Sequence, residues 1–150
     1  MEKAVIDTNV FVNFFLKTDL TERAKDMIKL VLTDYSPVVF TNILEAFILI
    51  REELAHKGIL KFYDQRDFIE KNGYVSLFVY KKFFEFLKKF SILILENKCN
   101  VDDFHSIMEK YNLLPNDALI AATCKHYGIK KIATFDGDFK RVEFLEVLEV

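Results

Sequence analysis

Four short apolar runs, each followed by a stretch with helical spacing, most tightly limit what this chain can fold into. They are Lys3 to Ile6, Val38 to Phe40, Ser91 to Leu95 and Lys131 to Thr134. Between them apolar residues recur one turn apart, as at Ala24, Ile28 and Val31, which is the period of an amphipathic helix. Short buried strands that alternate with helices belong in a parallel sheet covered on both faces. Right-handed crossovers carry all the strand C-terminal ends to one edge, where ligands bind in such sheets. The pattern predicts an α/β fold, a three-layer α/β/α sandwich with a mainly parallel central sheet, in a single domain over residues 1–150.

Punctuation residues divide the chain further. Asp7-Thr8-Asn9 opens a helix to about Phe15, and Asp19 with Glu22 three residues on marks another, to about Leu32. Pro37 closes that unit. Thr41 is expected to cap a helix that runs to Lys57 and stops at Gly58. Residues 59–90 are helical and rich in aromatics, with Gly73 splitting them in two. Asn100 and Asp103 start a helix ending near Asn112. Another spans Asp117 to Tyr127 before Gly128. Asp136-Gly137-Asp138 is a tight turn, and Phe144 to Leu148 an edge strand.

A composition of 51% hydrophobic and 29% charged residues with 4 Gly and 2 Pro excludes a disordered or low-complexity chain. The formal charge of −2 gives no global attraction to nucleic acid or anionic membrane, so RNA would need a local patch or a bound cation. The longest stretch without a charged residue runs only from Tyr35 to Leu44, against roughly 20 residues for a membrane span. No basic segment leads into a long apolar run at the N-terminus. Cys99 and Cys124 lack metal-ligand spacing and read as buried thiols in a reducing compartment. A cytoplasmic protein without a membrane segment is therefore expected.

Four acids stand in apolar company. Asp7 follows the first strand and Asp136 the fourth. Glu45 lies in the otherwise apolar run Ile43 to Ile50, and Asp117 opens a helix continuing Ala-Leu-Ile-Ala-Ala. Taken singly, Asp7 reads as a helix cap, Asp117 as a first-turn acid favoured by the helix dipole, and Asp136 as a turn residue. Glu45 fits no such role, because a lone carboxylate on a buried helix costs free energy unless it meets a cation or a hydrogen-bond donor. Together, carboxylates converging on one edge would repel each other and rise in pKa unless a cation sits among them. An all-oxygen donor set suits Mg²⁺ or Mn²⁺, and Mg²⁺ favours a phosphate as a further ligand.

The motifs Val5-Ile6-Asp7-Thr8-Asn9-Val10, Thr41-Asn42-Ile43-Leu44-Glu45, Asn116-Asp117-Ala118-Leu119-Ile120-Ala121-Ala122-Thr123 and Ile132-Ala133-Thr134-Phe135-Asp136-Gly137-Asp138-Phe139 occur in that order over nearly the whole chain. In this the chain resembles the PIN domain (PilT N-terminal domain) family, and within it the VapC-like toxin ribonucleases. The resemblance implies a PIN-like fold and a metal-dependent endoribonuclease that hydrolyses RNA phosphodiester bonds, as the toxin of a type II toxin–antitoxin pair. It implies Mg²⁺ or Mn²⁺ on Asp7, Glu45, Asp117 and Asp136, which are the catalytic and metal-binding candidates. Asn9 and Thr134 would hold the acids in place, Thr8 would cap, and Asp138 would substitute for or help Asp136. An RNA substrate, a small antitoxin and a homodimer are the implied partners. The long aromatic segment 59–90 departs from the family pattern and leaves the branch open: the alternatives are an RNA-processing nuclease that is not a toxin and a non-catalytic PIN-fold RNA- or protein-binding module. An aspartyl-nucleophile phosphatase would want a second Asp two residues after Asp7, where Asn9 stands.

Lys125, Lys130, Lys131, Lys140 and Arg141 surround the last two acidic motifs and are candidates for phosphate contacts, with a solvated surface as the plainer alternative. Phe83, Phe84, Phe86, Leu87 and Phe90 form an apolar stripe that would pack internally or against a partner. His56, His105 and His126 fall on helices away from the acids.

Overall fold

The computed structural model describes residues 1–41 and 43–150; the side chains of residues 43–45, Glu45 among them, lie outside the described part. In chain order the elements are β1 (Lys3–Ile6), α1 (Thr8–Phe15), α2 (Thr21–Asp34), β2 (Ser36–Thr41), α3 (Ile43–His56), α4 (Phe62–Asn72), α5 (Val79–Lys89), β3 (Leu93–Glu96), α6 (Val101–Tyr111), α7 (Pro115–Tyr127), β4 (Lys131–Ala133), a 3-10 turn (Gly137–Arg141) and β5 (Glu146–Val147). The strands form one sheet in the order β3-β2-β1-β4-β5, with every neighbouring pair parallel.

Alternation along the strands builds the three layers. Ala4, Ile6, Val39 and Ala133 face one core, filled by Phe11 of α1, Met27 and Val31 of α2, Leu49 of α3 and Phe83 of α5. Val5, Val38, Phe40 and Ile132 face the other, filled by Ile107 of α6, Ile120 and Cys124 of α7, and Phe139. Strand order runs outward in both directions from the β1–β4 pair. That reversal opens a crevice beyond the C-terminal ends of β1 and β4.

Several boundaries differ from the sequence expectation, each for a local reason. Asp19 does not start α2. Instead Thr18 donates its N–H to Thr21 Oγ1 (2.9 Å), Leu20 donates its N–H to Thr18 Oγ1 (3.1 Å), and the helix begins at Thr21. Pro37 sits inside β2 opposite Ala4. It is tolerated because pairing with β3 begins only at Val38, so no ladder donor is missing on that side. Thr41 is the last residue of β2, with its hydroxyl donating to the Leu95 carbonyl (3.2 Å). Ser91 has a positive φ of 49° and precedes the third strand rather than opening it. Pro115 takes the first helical position of α7, two residues earlier than expected, where a missing N–H costs nothing. Cys124 is buried and Cys99 only half-buried; burial pushes the Cys124 thiol up to about 12. No helix among the described residues is long and apolar enough to cross a membrane.

The 59–90 segment resolves into α4 and α5, with Gly73 at a φ of 62° ending the first. The aromatic stripe is divided between core and surface. Phe83 and Leu87 are buried, and the rings of Phe83 and Phe86 meet Phe11 edge to face at 4.9 and 5.6 Å. Phe84 and Phe90 stay exposed. Nothing in the local sequence caps α5, since Phe78 holds its N-cap position. The cap arrives from α3: the Glu53 carboxylate, 1% exposed, accepts from the N–H groups of Phe78 (2.8 and 3.1 Å) and Val79 (3.1 Å). Removing an acceptor from buried donors leaves them unsatisfied. Glu53→Ala is therefore expected to cost about 2 kcal/mol, the size of hydrogen bonds to a charged group, measured as a lower urea midpoint. An unchanged midpoint would show that α5 does not depend on this carboxylate.

Candidate metal centre

Asp7 directly follows β1 and caps α1. Its Oδ1 accepts from the Thr8 N–H (2.8 Å) and its Oδ2 from the Thr134 hydroxyl (2.7 Å), while its own N–H is held by the Ala133 carbonyl of β4 (2.9 Å). Asp136 leaves β4 and caps the 3-10 turn by accepting from the Asp138 N–H (2.9 Å). Asp117 lies in the first turn of α7. So the capping roles and the convergence hold together: each acid occupies a place where backbone N–H groups or a helix N-terminus favour a negative charge.

The tightest group is Asp117, Asp136 and Asp138. One carboxylate oxygen from each falls within 4.8 Å of the other two, and all three residues are half-buried. Asp138 is thus a full member of the cluster, with Asp136 and not in its place. Asp7 stands beside the trio. Its carboxyl is raised to about 6, chiefly by burial, against the opposing pull of its Thr134 and Thr8 hydrogen bonds. Asp117 is raised further, to about 7, by burial first and then by the charges of Asp136, Asp7 and Asp138. Two carboxyls held near neutrality beside further acids are what a cation site looks like when its electrostatics are left to the protein alone. The donors are all carboxylate oxygens at half-buried positions, and no His or Cys is among them, so the set fits a hard divalent cation.

Thr134 and Asn9 tie the acids together. The Thr134 hydroxyl donates to Asp7 and accepts from the Asp136 N–H (3.0 Å) and the Asn9 amide (3.0 Å). Asn9 Oδ1 in turn accepts from the Phe135 N–H (3.2 Å). Through these bonds both residues contact the segments that carry Asp7 and Asp136. Thr8 does not cap: it is the first residue of α1, and its buried hydroxyl has no hydrogen-bond partner among the described residues. Glu45 is expected in this centre from the sequence, but its side chain is outside the described residues.

The PIN domain family model matches residues 4–145. The chain belongs to the PIN domain family. Ribonuclease VapC6 of Methanocaldococcus jannaschii is 33% identical over 96% of this chain and 95% of its own length. Ribonuclease VapC2 of the same organism is 54% identical over 67 residues, 45% of this chain and 44% of its own. In fold, this PIN domain is similar to a chain of the VapBC2 complex of Rickettsia felis bound to a DNA fragment from its promoter (15% identity, TM-score 0.56, 97% of both chains). It is similar too to a chain of FitAcB from Neisseria gonorrhoeae (19% identity, TM-score 0.54, 97% of this chain and 96% of the other).

Most of the basic residues singled out in the sequence already have partners in this PIN domain. Lys131 opens β4, at the opposite end of the strand from Asp136, and pairs with Glu146. Lys125 pairs with Asp103 (3.3 Å). Arg141 donates to the carbonyls of Tyr111 and Asn112 and to Asp138 (2.8, 2.9 and 2.8 Å), which fixes the turn carrying Asp138. Lys140 remains near the acids, and Arg23 of α2 joins it there. Arg23 lines the same hollow as Thr134 and Asp136, and its position so early in the chain gave no signal of this.

Proposed function

We propose that this PIN domain is a metal-dependent endoribonuclease that hydrolyses RNA phosphodiester bonds as the toxin of a toxin–antitoxin pair. The observation that carries it is the trio of Asp117, Asp136 and Asp138 within 4.8 Å, flanked by Asp7 at the strand-order reversal. The near full-length similarity to a ribonuclease VapC supports the same reading.

Asp117, Asp136 and Asp138, with Asp7 and Glu45, would hold Mg²⁺ or Mn²⁺. Such an ion supplies charge neutralisation for a phosphate and a water of lowered pKa. The protein's own part is positional. Thr134 and Asn9 lock Asp7 and the Asp136 backbone, the capping hydrogen bonds fix the carboxylate rotamers, and Arg141 restrains Asp138. These groups are in place before substrate arrives, so little reorganisation is left for the reaction.

A small antitoxin and a second copy of the chain are the partners we infer. Two exposed apolar surfaces suit them: the α3–α4 groove around Phe47, Phe62 and Tyr74, and the edge formed by Phe84, Phe90, Leu93 and Ile94.

The direct test is incubation of the purified protein with a panel of structured RNAs in Mn²⁺ and in EDTA. Cleavage in Mn²⁺ and none in EDTA is expected. Equal cleavage in both would remove the metal from the mechanism. Mn²⁺ binding without cleavage of any RNA would favour the binding-module alternative.

A further inference from the structure

We propose that the hollow beside Asp136 seats the nucleotide next to the scissile phosphate, with Arg23 gripping that nucleotide's own phosphate. The inference rests on the nuclease reading and names a substrate contact for it.

The hollow holds about 310 Å³ and shares Thr134 and Asp136 with the acidic centre. A group bound in it therefore lies next to the carboxylates. That volume is at the lower end for small-ligand sites, and suits one nucleotide rather than a folded element. Its walls are mixed. Met27 and Leu148, both buried, give an apolar base, while Arg23 and Lys140 set positive charge beside the acids Asp136 and Glu149.

Arg23 is set up differently from the other cations around the site. Lys140 is paired with Glu149 at 3.0 Å, and Arg141 is committed to two carbonyls and Asp138. Arg23 has no ion pair within 4 Å among the described residues, although, after Lys140, its charge acts on Glu149 of the same hollow and helps hold that carboxyl low. Its guanidinium lies over the Phe135 ring, 5.5 Å from the centroid. Contact with an aromatic face restrains a guanidinium while leaving its N–H donors unspent. Phe135 is itself fixed, because it stands between Thr134 and Asp136 in the chain and donates its N–H to Asn9. The hydrogen-bonded unit that sets the acids thus also sets the platform under Arg23. A restrained guanidinium with free donors is suited to bidentate phosphate contact. The acids around Asp117 repel an approaching phosphodiester, and the chain's charge of −2 does nothing to offset this. A cation on the rim supplies the missing attraction where the strand must enter.

The test uses the wild type, Arg23→Ala and Arg23→Lys. The first readout is fluorescence anisotropy with a fluorescein-labelled, single-stranded 12-nucleotide RNA of randomised sequence, in EDTA, across a KCl series. The second is kcat and KM for whichever RNA is cleaved in Mn²⁺. Arg23→Ala is expected to weaken RNA binding about tenfold and to reduce the salt slope by about 0.7, the value for one phosphate contact on a single strand. Arg23→Lys should keep the slope and lose about threefold in affinity, as charge without the bidentate fork. In cleavage, KM should rise about tenfold for Arg23→Ala with kcat unchanged within about twofold, as for a residue that binds substrate and transition state alike. Arg23 is exposed, so folding of the variants is not at stake. Equal affinity and slope for wild type and Arg23→Ala overturn the proposal, as does a fall in kcat at constant KM. If wild type cleaves RNA and Arg23→Ala does so with the same KM, the seat fails and the nuclease stands. If wild type binds the probe through Arg23 but cleaves nothing in Mn²⁺, the nuclease reading fails and the hollow remains an RNA contact without a scissile phosphate.

Discussion

Asp117→Asn is expected to lower RNA cleavage by about a thousandfold, the upper range for losing one preorganised electrostatic group in a catalytic site. The same change should make the metal-free protein more stable at pH 8. Both effects have one origin. Asp117 sits in the first turn of α7, where asparagine fits without a change of shape. What disappears is a negative charge that burial, Asp136, Asp7 and Asp138 all push against. In the presence of metal that charge is a ligand; without metal it is a repulsion the fold must carry. Stored strain of this kind is a usual form of the conflict between activity and stability. Single-turnover cleavage in Mn²⁺ and thermal melting in EDTA at pH 8 give the two numbers. A variant that melts below wild type in EDTA would show that Asp117 is not held against its neighbours' charges. A variant that still cleaves within tenfold of wild type would remove it from the metal centre.

The sheet was readable because its strands are short, apolar and separated by helices, and because the inner strands β1, β2 and β4 bury both faces. Val5, Val38 and Ile132 face one core while Ala4, Ile6, Val39 and Ala133 face the other, so no alternation of polar and apolar residues appears in the strands. The placement of Asp7, Asp117 and Asp136 was readable for a related reason: they stand just after apolar strands or at the start of an apolar helix, and strand ends and helix starts meet at one edge. Their dual nature was also visible. Asp7 does cap, as the plain reading has it, and Asp136, read as a turn residue, caps the 3-10 turn that follows it.

Contacts made by side chains far apart in the chain left no such mark. Glu53 looks like any charged residue of α3, and only the packing of α5 against that helix shows that it replaces a missing N-terminal cap. Arg141 reads from its neighbours as a phosphate ligand, yet two carbonyls near the end of α6 consume its donors. Arg23 carries no signal in the sequence, and only the packing of α2 brings it over Phe135. Asp19 fails as a start signal because two threonine hydroxyls supply the local hydrogen bonds first. For Glu53, Arg141 and Arg23 the deciding partner is a backbone group or ring whose position the periodicity of the chain does not encode.

The metal centre should also be strongly pH-dependent in the range just below neutrality. Asp7 and Asp117 are raised from an ordinary 3.8 to about 6 and about 7. A folded-state pKa above the unfolded value means that the native protein binds more protons between the two, so stability falls as pH rises through that window. The stability that these two carboxyls lend the metal-free protein should therefore be complete only below about pH 3.8 and be lost progressively up to about pH 7, with Asp7 completing its change before Asp117. Above that the penalty is constant. A cation competes with those protons, since carboxylate ligands must be deprotonated to bind. With two carboxyls titrating near 6 and 7, apparent Mn²⁺ affinity should fall about 100-fold between pH 7.5 and 5.5, by the product of the two proton-competition factors. Calorimetric titrations at those two pH values, each in buffers of different ionisation enthalpy, would measure both the affinity and the protons released. Nearly two protons should be released per ion at pH 5.5 and well under one at pH 7.5. The same affinity at both pH values, with no proton release, would mean that the ion is held by groups already ionised and that Asp7 and Asp117 are not its ligands.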